Sequence, residues 1–228
     1  FLDTTARATI SSNTIAGDDI INATEAGNDL VISGTVGGDA ASGDTVTVTI
    51  GGTNYTTTVN ADNTTFSVTV PAAAVGSLTD GNATASVTGT DNAGNTFSAN
   101  ATRAYTVDTT ASATIAINTI AGDDIINATE SGNDLIISGT VGGDAASGDT
   151  VTVTIGGTNY TTTVNADNTT FSVTVPAAAV GTLTDGNATA SVTGTDNAGN
   201  SFTANATRAY TVDTTASATI SINTIAGD

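Results

Sequence analysis

Residues 3–107 recur almost unchanged as 108–212, an offset of 105 positions, so Asp3-Thr4-Thr5 returns as Asp108-Thr109-Thr110 and then as Asp213-Thr214-Thr215. Eight positions differ in that register: Arg7/Ser112, Ser11/Ala116, Ser12/Ile117, Ala26/Ser131, Val31/Ile136, Ser77/Thr182, Thr96/Ser201 and Ser98/Thr203. Whatever one copy folds into, the next must fold into as well, which makes the chain an array of like units. A unit of 105 residues is long enough to bury one core. The expected division is 1–107, 108–212, and 213–228 as the first strand of a third unit, with the Asp-Thr-Thr triplets as linkers. Units running 18–122 and 123–227 are the other possible phase. The last segment stops inside a motif seen whole at 119–130, which suggests a longer array. Joined copies with no spacer suit a rod or tether, which gains length from each copy, better than a catalyst.

The pattern within a copy is that of strands. Thr45-Val46-Thr47-Val48-Thr49-Ile50 and Phe66-Ser67-Val68-Thr69-Val70 alternate apolar and hydroxyl residues with period two, and β-branched residues fit a pleated, half-buried surface. Further strands are expected at Ala8–Ile10, Leu30–Val36, Tyr55–Val59, Ala83–Thr88 and Phe97–Val107, with equivalents 105 residues later. Turn clusters separate them: Gly37-Gly38-Asp39, Gly51-Gly52-Thr53-Asn54, Asn60 to Asn63, Asp80-Gly81-Asn82 and Asp91 to Asn95. No segment holds a helical period. Seven short strands in about 105 residues predict an all-β immunoglobulin-like sandwich.

Composition removes whole classes of function. The chain has no Cys, His, Lys, Met or Trp, so disulfides, zinc sites and thiol or imidazole catalysis are excluded. Its 3 arginines face 22 acids, a net charge of −19, which argues against nucleic acid and anionic lipid as partners. No apolar run approaches the ~18 residues of a membrane helix. The natural counter-charge is a metal cation.

The acids are also placed. With the strands lettered A to G, Asp18, Asp19, Asn22 and Glu25 fall in the A–B loop at one pole, with Asp80 in the E–F connection. Asp39, Asp44, Asp62 and the turn Asp91 to Asn95 fall at the other pole. Strand faces carry Thr and Ser instead. At each junction the A–B loop of one copy is expected to face the F–G turn of the next, so Asp18, Asp19, Asn22 and Glu25 meet Asp196, Asn197 and Asn200 around Asp108. Carboxylates 5–8 Å apart repel by about 0.5–1 kcal/mol per pair in water, and several pairs accumulate. A hard cation taking six to eight oxygens would convert that repulsion into a staple, and calcium suits such a flexible oxygen set better than magnesium. The candidate ligands are Asp3, Asp91, Asn95, Asp18, Asp19, Asn22, Glu25 and Asp108, then Asp196, Asn200, Asp123, Asp124, Asn127, Glu130 and Asp213, with Asp44 and Asp149 as outlying additions. The spacing Asp-Asp-x-x-Asn-x-x-Glu is not that of an EF-hand, and a solvated acidic turn is its bland alternative. Arg103 and Arg208 are expected to pair with an acid on the sandwich surface. Asn-x-Thr triplets such as Asn82-Ala83-Thr84 match glycosylation acceptors, a cheap match in an Asn/Thr-rich chain.

The ordered set Asp-Thr-Thr, Ile-Asn-Ala-Thr-Glu-x-Gly, Ile-Ser-Gly-Thr-Val, Gly-Asp-Thr-Val-Thr-Val-Thr and Thr-Gly-Thr-Asp-Asn-Ala-Gly-Asn resembles the tandem bacterial immunoglobulin-like extender repeats of giant repeats-in-toxin adhesins. The resemblance covers the whole chain. It implies a secreted stalk on a bacterial cell surface, holding a distal adhesive region outward, with several calcium ions stiffening the linkers between identical neighbouring repeats. Among the candidates it points to Asp108 with Asp196 and Asn200, and to Asp18, Asp19, Asn22 and Glu25. The proline that many relatives carry after Thr-Thr-Ala is absent here, so linker stiffness would depend more on metal. The Gly-Gly-x-Gly-x-Asp nonapeptide is also absent. Direct membrane insertion and a small-molecule substrate are not expected.

Two other classes compete with a stalk. An adhesive module contacting carbohydrate, ice or a host protein would use exposed aromatics or flat Thr faces, but the nine Phe and Tyr fall mostly at strand positions. A hydrolase with paired carboxylates would need a pocket-forming insertion, and neither copy has one.

Overall fold

The computed structural model describes residues 4–223. It divides into two compact units: the described residues up to Thr110 together with Asn197–Asn200, and Ala111–Asp196 together with Ser201 onward. Each is a two-sheet sandwich of immunoglobulin type, in agreement with the all-β expectation.

In the first unit, β1 (Ala8–Ser12), β3 (Leu30–Gly38) and β6 (Thr65–Val70) form a three-stranded sheet in the order β1-β3-β6. The facing sheet runs β2-β8-β7-β4-β5, from β2 (Ile20–Ile21), β8 (Thr96–Val107), β7 (Gly81–Thr90), β4 (Thr45–Ile50) and β5 (Thr53–Thr58). The alternation read from sequence is the alternation of burial. Val46, Val48 and Ile50 are at most 1% exposed, while Thr45, Thr47 and Thr49 between them face outward. Phe66, Ile32, Val70 and Val87 meet them from the neighbouring strands and the opposite sheet. Each such side chain contributes about 1.5–3 kcal/mol by leaving water. The second unit repeats the arrangement with its own core around Val151, Val153, Ile155 and Phe171. Its sheets run β14-β11-β9 and β10-β16-β15-β12-β13, from β9 (Ala113–Ile117), β10 (Ile125–Asn127), β11 (Leu135–Gly143), β12 (Thr150–Ile155), β13 (Thr158–Thr163), β14 (Thr170–Val175), β15 (Gly186–Thr195) and β16 (Ser201–Asp213).

The structure departs from the sequence reading in three places. The β4–β5 connection is tighter than the expected four-residue turn, because Gly51 and Gly52 (φ 56° and 76°) alone make it and Thr53 already pairs with Ile50. Two left-handed residues, as here, suit the twist of a two-residue hairpin. The acidic A–B segment is not all loop, since Ile20 and Ile21 form β2 and pair parallel with Thr106 and Val107 of β8. One-turn helices also appear, α1 (Ala23–Ala26), α2 (Ala72–Val75) and α3 (Ala177–Val180), too short to show a helical period. Asp3 lies outside the described residues, as do 224–228. Among the described residues no helix is long and apolar enough to cross a membrane.

Candidate metal centre

The strand β2 organises the acidic segment of the first unit. Its entry is a tight left-handed turn, with Ala16, Gly17 and Asp19 at φ 56°, 101° and 68°. Asp19 holds that turn closed. Its Oδ1 accepts the Ile15 N–H at 2.9 Å, and the Arg103 guanidinium grips both oxygens, Nε to Oδ1 at 2.6 Å and Nη2 to Oδ2 at 2.5 Å. Arg103 also donates to the Ser12 carbonyl and the Thr14 hydroxyl. Asp124 and Arg208 repeat the pair in the second unit. The arginines therefore pair with an acid as expected, and the acid is one counted among the cation ligands. The guanidinium occupies both Asp19 oxygens, so this carboxylate enters a metal site only by giving up a bidentate, charge-assisted pair.

The same pair sets a pH dependence. The Arg208 hydrogen bond holds the Asp124 carboxyl down at about 2, against an ordinary value of 3.8, and Arg103 likewise lowers Asp19. A depressed carboxylate stabilises the fold above its unfolded value, and that stabilisation is lost as pH falls through the folded value. The window for the second unit is thus from about pH 4 down to about 2. In wild type the urea midpoint is expected to drop across that window, and in Arg208→Ala to start lower and drop less. A variant with the same acid limb as wild type would remove this role from the pair. The effect is modest, because the Arg208 and Asp124 side chains are 33% and 29% exposed and solvent screens them.

The exit of β2 is a helix cap. Asn22 Oδ1 accepts the Thr24 and Glu25 N–H groups, each at 3.0 Å, while Glu25 Oε2 accepts the Asn22 N–H at 3.0 Å. This reciprocal capping box starts α1. The Asn-x-x-Glu spacing that suggests metal ligands is also a capping-box signature, legible in the sequence. Asn127 and Glu130 make the same exchange around a short 3-10 turn, Glu130–Gly132.

Most of the other acids accept a backbone N–H, either within their own loop or, for Asp39 and Asp80, from a segment distant in sequence. Asp18 accepts from Ile20, Asp39 from Arg7, Asp44 from Ala41, Asp80 from Val107 and Asp108 from Thr110, in each case through a backbone N–H. Asp91 takes Ala93 and Asn95 N–H on Oδ1 and the Asn95 amide on Oδ2, so Asn95 holds its carboxyl below the ordinary range. An open cleft between Gly38–Ala41 and Thr90–Asn92 brings Asp91 and Asp39 to one end of the unit. Asp149, Asp123 and Asp213 repeat the roles of Asp44, Asp18 and Asp108.

The ends of β2 and β8 gather several candidates. Asp108 donates its N–H to the Ile21 carbonyl, which sets it beside Asn22, and Asp80 caps the adjacent Val107 N–H. Asn200, counted in this compact unit, is 6% exposed and accepts the Ala23 N–H at 2.8 Å while donating Nδ2 to the Asp108 carbonyl at 2.8 Å. In the second unit the β10–β16 ladder pairs Asn127 with Asp213, and a shallow cleft there is lined by Asn127–Thr129 and Asp213–Ala216. Among the described residues no three acidic side chains converge on one point. The donor set is entirely oxygen. Asp18, Glu25 and Asp108 each use a single carboxylate oxygen in the hydrogen bonds described.

A structure reported as "Structural insight into host cell surface retention of a 1.5-MDa bacterial ice-binding adhesin" is 43% identical, with a TM-score of 0.78 over 93% of this chain and 67% of that one. The chain belongs to the family of bacterial immunoglobulin-like adhesin repeats. A second adhesin structure, described as a Ca2+-stabilized adhesin that helps an Antarctic bacterium reach out and bind ice, is 44% identical at a TM-score of 0.74, over 95% of this chain and 52% of that one. A bacterial immunoglobulin-like domain from the M. primoryensis ice-binding adhesin is 44% identical over 46% of this chain and all of its own length, with a TM-score of 0.40. No family model and no curated protein matches the chain. These neighbours are repeat regions of a large ice-binding adhesin, which supports a structural stalk role in a surface adhesin.

Proposed function

We propose that this chain is a calcium-stiffened segment of the extender stalk of a secreted bacterial surface adhesin. The observation that carries the reading is the confinement of the carboxylates to the ends of the sandwich, each tied to a loop, while the faces carry hydroxyls. Asp18, Asn22, Glu25, Asp108, Asp196 and Asn200 are the residues that would hold an ion where one repeat follows another, and Asp123, Asn127, Glu130 and Asp213 would serve the next junction. Asp91 and Asn95 would serve the pole at the other end of the first repeat. The cation supplies charge neutralisation and oxygen coordination. The chain's own part is to hold those oxygens in place through the capping boxes and the arginine-locked turns. The calcium that stabilises one relative by its description supports the choice of ion. Division into repeats at Asp108 and Asp213 follows from the same reading.

Thermal unfolding of the whole chain tests it. In millimolar calcium the midpoint is expected to lie well above that in chelator, because a ligand bound only by the native state stabilises by about 2.7 kcal/mol at a hundredfold excess over Kd. Magnesium should restore little of the shift. Equal midpoints in calcium and chelator would refute calcium binding by the folded chain.

A further inference from the structure

We propose that the outer face of the five-stranded sheet carries N-linked glycans, attached at Asn54, Asn82 and Asn100 and at their equivalents Asn159, Asn187 and Asn205. Each begins an Asn-x-Thr triplet, and each lies in a strand: Asn54 in β5, Asn82 in β7 and Asn100 in β8. Asparagine is depleted in strands, so three on one sheet face need a reason beyond propensity. The period of two turns the middle residue inward, as with Ala83 at 1% exposure, and puts both the asparagine and its threonine on the outer face. The pairing register places the triplets side by side. Thr84 is opposite Thr102, their hydroxyls 3.2 Å apart, and Thr49 beside Thr84 donates to Asn54 Oδ1.

All six asparagines are exposed. Asn82 and Asn100 make no side-chain hydrogen bond among those described, and Asn54 uses only its oxygen, so the Nδ2 atoms can carry a substituent that projects into solvent. The remaining triplets differ. Asn22 Oδ1 caps α1, and Asn63 sits at φ 59° with Oδ1 accepting the Ser42 N–H. Asn127 and Asn168 repeat them in the second unit, so all four lie in turns.

The donor is a sugar activated by a phosphate ester at its anomeric carbon. Asn Nδ2 attacks that carbon and the N–C bond forms as the C–O bond to phosphate breaks. The phosphate leaves with the bonding electron pair, and one amide proton passes to a base of the transferase. No oxidation state changes. In the folded sheet the asparagine and threonine of a triplet stand about 6.6 Å apart along a strand locked in its ladder, unable to bend into an active site. Transfer therefore precedes folding. The finished glycans then lie outside the core, consistent with the surface placement that such a bulky, solubilising group requires.

The test offers the whole chain, folded and urea-unfolded, to two transfer systems: a soluble asparagine glycosyltransferase with a nucleotide sugar, and a membrane oligosaccharyltransferase with a lipid-pyrophosphate sugar. Intact mass and peptide mapping give the readout. Addition at the six face asparagines of the unfolded chain in either system is expected, with little on the folded chain and none at Asn82 or Asn100 in Thr84→Ala or Thr102→Ala respectively. The arm that works identifies the donor. The modified chain should refold to a cooperative transition like that of the unmodified one. No transfer in either system, transfer confined to the turn asparagines Asn22, Asn63, Asn127 and Asn168, or failure of the modified chain to refold would overturn the proposal.

Discussion

Phe66→Ala is expected to cost the first unit about 3–5 kcal/mol, the range for deleting a buried aromatic ring. Phe66 is 1% exposed, and its ring lies against Gly34 of the adjoining strand, which has no side chain to fill the hole. The second unit has its own core, with Phe171 at the same place. Wild-type denaturation should thus show two nearly coincident transitions, and Phe66→Ala should pull about half the amplitude to lower urea while the rest stays. A shift of the whole curve as one transition would mean that the two cores do not melt independently.

Gly34→Ala is the complementary change and is expected to cost about 3 kcal/mol, the upper end for an overpacked site. A methyl there would land on the Ser11 carbonyl oxygen and 2.6 Å from Phe66 Cε1. The backbone of β1 cannot withdraw without breaking its antiparallel pairing, in which Ser12 lies opposite Gly34. The position needs glycine for space, since it lies within an ordinary strand. Urea denaturation of the single variant and of Gly34→Ala/Phe66→Ala checks this. The double variant should lose less than the sum of the two, because removing the ring makes room for part of the methyl.

The strands were legible because a sandwich imposes period two on every segment it half buries, and Thr45–Ile50 obeys that rule residue by residue. β2 was not legible, since two isoleucines between acids carry no period and their pairing with β8 is fixed by the distant Arg103–Asp19 grip. The poles could be assigned from strand order alone. The division of labour among the acids could not. Asp19 reads like Asp18 in sequence, yet only the fold sets a guanidinium against one and a free turn around the other. The spacing of Asn22 and Glu25 is that of a capping box, while their oxygens and charge point equally to a metal ligand set. Gly34 gives no sequence signal at all, because its role depends on Ser11 and Phe66 meeting it from two neighbouring strands.

Small-angle X-ray scattering of the whole chain, in calcium and then in chelator, tests the central claim most directly. The stalk account predicts a longer maximum dimension and a narrower distance distribution in calcium, with the chelated chain shortening as its junction bends, at a salt concentration held constant. Superimposable profiles in the two conditions would contradict it.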